Sequence, residues 1–158
     1  MIVTITNKML DEASAQAIRR KEYKRSYSPE GNKTPSREYL KDEIDGMLGE
    51  LAFGKVINQR PDFSLKHKKG DNLDFVHSFR NIDVKSTANF YAKRLILFLD
   101  DFDRHPEVDT YVAVKIIGNK AHLLGWAKKH DFKIRHVPNC GNRYVLYYDE
   151  LRPMESLI

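Results

Sequence analysis

Hydrophobic positions recur at helical spacing in the first third of the chain and predict two helices there. Residues 10–25 are rich in good helix formers and end in a run of cations, which suits the carboxyl end of a helix. Residues 26–36 are rich in Ser, Pro, Gly and Asn and predict a loop. Apolar residues spaced three and four apart then predict a second helix over residues 38–58. Its second half is apolar on nearly every side, so we expect it to be largely buried.

The hydrophobic period shortens to two after this helix, which is typical of strands. Residues 73–76 and 82–86 are two such runs separated by a polar turn, so they predict a β-hairpin. Further strands are predicted over 94–99, 110–117, 121–126 and 143–148, and a short helix over 127–132. Helices followed by a mostly antiparallel sheet predict an α+β or mixed α/β fold.

The length of 158 residues fits one domain. Within it we expect an N-terminal helix and loop over 1–37, a core over 38–126 and a C-terminal cover over 127–158. The longest apolar run, residues 95–99, is far shorter than the roughly 20 residues of a membrane helix. The first residues also lack the pattern of a signal peptide. The sequence therefore predicts a cytoplasmic protein with no membrane partner.

Composition narrows the chemistry only slightly. The chain has 27 Lys and Arg against 22 Asp and Glu, a formal charge of +5, which is compatible with a polyanionic partner but does not require one. Cys140 is the single cysteine, so an internal disulfide and a cysteine-based zinc scaffold are excluded. Residues 49–55 match the start of a phosphate-binding P-loop. However, Val56 replaces the hydroxyl residue that such a loop needs, so a nucleotide-binding P-loop protein is rejected.

The second strand of the predicted hairpin carries an acid and a base on one face. Because side chains alternate along a strand, Asp83 and Lys85 project together, while Ile82 and Val84 point to the other face. We expect the two apolar side chains to enter the core. Asp83 and Lys85 are then free to form part of a polar site, although a solvated lysine that merely pairs with Asp83 is the ordinary alternative.

The turn of the hairpin brings a second acid to the same place. If the turn is centred between Ser78 and Phe79, Asp74 lies directly opposite Asp83, with Cβ atoms about 5 Å apart. Two facing carboxylates repel each other unless a cation lies between them. Oxygen ligands in this arrangement suit Mg²⁺, which accepts one or two carboxylates together with water and phosphate oxygens. The pairing therefore predicts a metal site.

A third acid belongs to the second helix. Glu50 lies on the flank of the apolar stripe, roughly 120° from its centre, in a segment with few charges. Gly46 and Gly49 would let this helix approach the sheet closely and bring Glu50 towards the hairpin acids. Taken alone, Glu50 is more simply a partly exposed edge residue and Asp74 a strand-end acid. Taken together, the three acids favour a site.

These residues resemble the signature of the PD-(D/E)xK nucleases. In that family a helical Glu, a strand Asp, and an Asp or Glu two residues before a Lys form one metal site. The matching residues here are Glu50, Asp74, Asp83 and Lys85, in the same order. Leu73 replaces the proline that names the motif. The resemblance covers residues 38–126 and implies a restriction-endonuclease-like core, with a central mixed β-sheet flanked by helices.

The resemblance implies a metal-dependent nuclease that hydrolyses phosphodiester bonds, with DNA favoured over RNA and endonuclease action favoured. Asp74, Asp83 and the carbonyl of Val84 would hold Mg²⁺ or Mn²⁺, and Glu50 would bind it through water or recruit a second ion. Lys85 would orient the attacking water or lower its pKa. A homodimer is expected if the substrate is duplex DNA. The alternative is a catalytically idle nucleic-acid-binding or assembly protein with the same fold.

Two basic segments are candidates for contact with phosphates. One precedes the hairpin, and the other ends the first helix, where Tyr23 and Tyr27 are interleaved for stacking on bases. For each of these residues a solvated charged surface is the alternative. The candidates are Lys66, Lys68 and Lys69 in the first segment and Arg19, Arg20, Lys24 and Arg25 in the second.

Overall fold

The computed structural model of the chain describes residues 1–27, 37–63 and 73–158, with the side chains of 24–27, 37–39 and 101 left out. In chain order, the elements are β1 (Ile2–Thr4), α1 (Asn7–Tyr27), α2 (Arg37–Ile57), β2 (Phe75–His77), β3 (Arg80–Thr87), β4 (Arg94–Leu97), α3 (Leu99–Arg104), β5 (Thr110–Ile117), β6 (Lys120–Lys128), β7 (Lys133–Val137) and β8 (Gly141–Tyr147). Most of the predicted loop lies outside the described residues. The general α+β class is confirmed.

Both predicted helices are confirmed. The second half of α2 is largely buried, as its apolar surface predicts, with Ala52 and Phe53 fully buried. None of the helices in the described ranges is long and apolar enough to cross a membrane.

The strands form two sheets rather than one. The main sheet has the order β1-β6-β5-β3-β2, and β4-β8-β7 form a second, antiparallel sheet. The expectation of a mostly antiparallel sheet misses one pair, because β3 and β5 run parallel. A parallel pair needs a crossover connection, which β4 and α3 supply here. The main sheet is therefore mixed.

The short helix predicted over 127–132 is wrong. The pairing of β5 with β6 continues to Thr110 and Lys128, so the ladder keeps Ala127 and Lys128 extended. Only a single 3₁₀ turn, Lys129–Asp131, follows.

Each face of the main sheet covers its own apolar cluster. One cluster includes Ile82 and Val84 of β3 and the buried face of α2. The other includes Tyr111 of β5 and the inner side chains of the second sheet, such as Leu95 and Leu146. The strand β3 thus lies between two packed layers, and its two faces meet different parts of the molecule.

Candidate active site

The hairpin has the predicted register. Ser78 and Phe79 both adopt positive φ, 49° and 63°, as the central residues of a two-residue hairpin turn do. The strand pairs are Phe75 with Ile82, Val76 with Asn81, and His77 with Arg80. The ladder ends at Phe75, and the N–H of Asp74 then donates a hydrogen bond of 3.0 Å to the carbonyl of Ile82, which keeps Asp74 beside β3. The backbone N–H of Val84 donates a hydrogen bond of 2.7 Å to Oδ2 of Asp74, which holds that carboxylate against β3.

The two faces of β3 divide as the alternation predicts. Ile82 and Val84 are buried in the cluster beneath α2. Asp83 is 3% exposed, and Nζ of Lys85 lies 2.8 Å from its Oδ2. The Lys85 side chain is about one third exposed, so it links the buried carboxylate to the surface. Asp83 pairs in parallel register with Tyr111, whose side chain belongs to the cluster on this face.

A cavity of about 200 Å³ opens beside this ion pair. Apart from the ion pair its walls are apolar or aromatic, which strengthens electrostatic interactions inside it. The lining residues are Asp83, Lys85, Ile96, Leu97, Phe98, Phe102 and Tyr111.

Glu50 is buried, and its carboxylate is only partly satisfied. It is 5% exposed, with Oε1 3.7 Å from Nη1 of Arg20. Its Oε2 is buried and has no hydrogen-bond partner among the described residues. Burial raises the pKa of Glu50 to about 7, against the opposing effect of Arg20, and the charge of Asp83 raises it further. An unpartnered buried carboxylate oxygen is costly, so this position favours a proton or a cation.

Gly49 explains how Glu50 reaches this depth. A Cβ at Gly49 would lie 1.7 Å from Oγ and 3.0 Å from Cβ of Ser86 in β3, so only glycine permits this approach of α2 to the sheet. The expectation that Gly46 also serves this approach is wrong, because a Cβ there would meet nothing within 4 Å.

The acids interact with one another. Burial raises the pKa of Asp74 well above its ordinary value, and the negative charges of Glu50 and Asp83 add to the effect. The hydrogen bond from Val84 and the charge of Lys85 oppose it. The structure therefore brings Glu50, Asp74, Asp83 and Lys85 within electrostatic reach of one another.

The donor atoms fit a divalent cation. Within the described ranges, no group of three or more His, Cys, Asp or Glu side chains is arranged to hold a metal ion. Mg²⁺ needs less than that from a protein, because one or two carboxylates usually hold it beside water and substrate phosphate. Asp74, Asp83 and the Val84 carbonyl can supply such a donor set. The unpartnered Oε2 of Glu50 is a further oxygen that a cation or its water would satisfy.

The structure describes the side chains of two of the seven basic candidates, Arg19 and Arg20. Arg20 lies beside Glu50, where it partly neutralises that carboxylate. Arg19 is exposed on α1. The side chains of Lys24 and Arg25 are outside the described residues, and so are Lys66, Lys68 and Lys69. Nucleic-acid contact by these residues stays a prediction.

Sequence reasoning missed the aromatic wall of the site. Phe98, Phe102 and Tyr111 line the cavity beside Asp83. The position of Tyr111 could have been predicted locally, because strand alternation places it on the same face as Ala113 and on the opposite face from Val112. No local pattern predicts the positions of Phe98 and Phe102, because the packing of β4 and α3 onto the main sheet is a long-range contact.

The chain was compared with protein-family models, curated proteins and solved structures, and none of the three comparisons gave a match.

Proposed function

We propose that this protein is a metal-dependent nuclease that hydrolyses phosphodiester bonds in DNA, with RNA as the alternative substrate and endonuclease action favoured. One observation carries the proposal: Glu50, Asp74 and Asp83 are buried and interact electrostatically with one another and with Lys85, and a cavity opens at Asp83 and Lys85. Buried acids that raise one another's pKa are costly for folding, and such groups concentrate at functional sites. Phosphodiester hydrolysis uses this combination of carboxylates and a cation.

The order of elements supports a restriction-endonuclease-like core as part of the proposal. α2 supplies Glu50, the β2–β3 hairpin supplies the other acids, and a crossover leads to β5 parallel to β3. One difference from the family pattern is that β4 does not join the main sheet but pairs with β8 in the second sheet. The short α3 occupies the place of the helix that the family has before its next strand.

Each side chain has a distinct task in the proposed reaction. When bound, Mg²⁺ or Mn²⁺ would supply charge neutralisation for the phosphate and acidify a bound water. Asp74, Asp83 and the Val84 carbonyl would hold the ion. Glu50 would contact it through water, and the raised pKa of Glu50 lets its Oε2 hold or accept a proton near neutral pH. Nζ of Lys85, fixed by Asp83, would orient the attacking water.

Cleavage assays test the proposal directly. The protein is incubated with circular and linear DNA and RNA in Mg²⁺, Mn²⁺ or EDTA, and circular substrates separate endonuclease from exonuclease action. We expect metal-dependent cleavage that is lost in Asp83→Asn. The matched control is Asp42→Asn, which removes an exposed carboxylate of α2 and should cut like the parent. Nucleic-acid binding without cleavage in any metal would contradict the nuclease and favour the idle binding protein.

A further inference from the structure

The second sheet presents a basic and aromatic outer face. Inner side chains of this sheet, such as Leu95 and Leu146, enter the core, so their neighbours in the strands point outward. The registers place Arg94 opposite Tyr147 and Arg135 opposite Arg143 on this outer side. The outward residues along the three strands include four cations and no acid. The cations are Arg94, Lys133, Arg135 and Arg143.

Aromatic and apolar side chains are interleaved with these cations. The guanidinium of Arg135 lies 5.2 Å from the ring centre of Tyr147, and that of Arg94 lies 5.9 Å from it. Ile96, on the same side of β4, is 41% exposed. Cations beside an exposed ring, here that of Phe98, are a pattern by which proteins bind single strands, since cations meet phosphates and a base stacks on the ring.

Phe98 joins this outer face to the candidate active site. It continues the alternation of Arg94 and Ile96 in extended backbone and is 60% exposed. Its ring lies 4.6 Å from the guanidinium of Arg143 on one side. On the other side, it lines the cavity that contains Asp83 and Lys85. A chain that follows the outer face therefore leads past Phe98 to Asp83 and Lys85.

A larger cavity on the far side of Phe98 continues this path. It measures about 530 Å³ and is lined by Phe98, Leu99, Asp100, Arg104 and Arg143. Among the lining residues that the structure describes, Asp100 forms an ion pair of 3.0 Å with Arg104, which leaves the positive charge of Arg143. This cavity suits a phosphate or a base next to the stacked ring.

We propose that the outer face of the β4-β8-β7 sheet binds single-stranded nucleic acid, with Phe98 stacking an unpaired base beside the acids. The inference rests on the proposed function for its direction, since it names the substrate form that reaches that site. It assigns the phosphate contacts to Lys133, Arg135 and Arg143. Charge complementarity favours a polyanion, and the exposed ring of Phe98 favours an unpaired base over a duplex.

Binding in EDTA tests the inference without any cleavage. A fluorescent single strand and a duplex of the same sequence are titrated with the parent and with the triple variant Lys133→Ala, Arg135→Ala, Arg143→Ala. We expect the parent to prefer the single strand. In the triple variant, the slope of log affinity against log salt concentration should become shallower by about 2, because each of the three lost phosphate contacts contributes about 0.7. The control triple Lys8→Ala, Lys120→Ala, Lys128→Ala removes the same charge from exposed sites elsewhere and should bind like the parent.

Phe98→Ala separates stacking from charge. We expect it to weaken single-strand binding about fivefold or more, the scale of one lost stack, with an unchanged salt slope. Phe79→Ala is its control, because Phe79 is a fully exposed ring at the hairpin turn. Thermal melts verify that every variant is folded.

Three outcomes would overturn the inference: no binding by the parent, a preference for duplex, or parent-like binding by both the triple variant and Phe98→Ala. The proposed function fails separately, in the Mg²⁺ cleavage assay. Single-strand binding that depends on these residues without any cleavage would leave the inference standing and remove the nuclease. Cleavage with parent-like binding by both variants would do the reverse.

Discussion

At the scale of single residues, Glu50 shows how the fold holds an acid that it does not fully satisfy. Arg20 lies 3.7 Å away, yet burial outweighs its attraction, so the pKa of Glu50 remains near 7. Asp83 adds repulsion from the sheet side. A purely structural ion pair would be expected to have the opposite balance, with the partner lowering the pKa of the acid.

The first prediction concerns stability against pH. The pKa of Glu50 is about 7 in the native state and 4.5 ordinarily, so the native state binds its proton more tightly than the unfolded chain does. The free energy of unfolding should therefore fall as pH rises from about 4.5 to 7. In Glu50→Gln this fall should shrink, and the part due to the burial of Asp74 should remain. Urea unfolding in EDTA at several pH values measures it, with Glu22→Gln as the exposed control. Identical slopes in parent and Glu50→Gln would contradict the assignment.

The second prediction separates catalysis from binding at Lys85. If Nζ orients water, Lys85→Ala should reduce single-turnover cleavage about a hundredfold, the scale of a positioned acid–base group. Binding of the same substrate in Ca²⁺ should stay nearly unchanged, because the lost interaction acts in the transition state. Lys120→Ala removes an exposed lysine and should cut normally. Parent-rate cleavage by Lys85→Ala would reduce this residue to a partner of Asp83.

At the scale of elements, the sequence predicts those features that depend on residues close together in the chain. The hairpin register follows from one turn position, so the position of the turn is enough to predict the pairing from Phe75 with Ile82 to His77 with Arg80. The parallel pairing of β3 with β5 depends on a crossover of more than twenty residues, so no local pattern signals it. Strand β7 was missed because it is an edge strand with only Val137 buried, which leaves little hydrophobic contrast.

The third prediction tests the contact between α2 and β3. Gly49→Ala places a methyl group against Ser86, so we expect a loss of about 1–3 kcal/mol in the free energy of unfolding and weaker catalysis as Glu50 moves. Gly46→Ala lies in the same helix with open space around it and should stabilise the protein by about 0.5–1 kcal/mol. Adding Ser86→Gly to Gly49→Ala should restore part of the loss. Chemical denaturation measures all three, and a neutral Gly49→Ala would show that the contact yields easily.

At the scale of the whole molecule, the candidate site draws on both sides of the main sheet. Asp83 leaves the main sheet on the side that faces Phe102 and the second sheet, while Glu50 comes from the helix on the other side. The acids therefore depend on both layers at once. The four residues belong to one helix and one hairpin, so local patterns predict them. The aromatic residues beside Asp83 come from later elements that pack against the hairpin, so local patterns do not predict them.

The fourth prediction concerns assembly. The described residues hold one such constellation of acids, and one metal site cuts one strand. If duplex DNA is cleaved at a single locus, a symmetric dimer would supply the second site. Light scattering should then give twice the mass of 18.4 kDa for the protein alone, or that mass plus the mass of the duplex for the complex. A monomeric mass together with double-strand breaks from single encounters would contradict the dimer, and single-strand substrates require no dimer.

The fifth prediction is that a divalent cation stabilises the whole fold. An ion that binds only the native state raises the free energy of unfolding by mass action, by about 2.7 kcal/mol at a hundredfold excess over its dissociation constant. Here the ion would also relieve repulsion among Asp74, Asp83 and Glu50, so the gain should grow as pH rises and these acids ionise. Mn²⁺ should raise the melting temperature of the parent and of Asp42→Asn, but not that of Asp83→Asn. An equal Mn²⁺ shift in parent and Asp83→Asn would move the metal away from the hairpin.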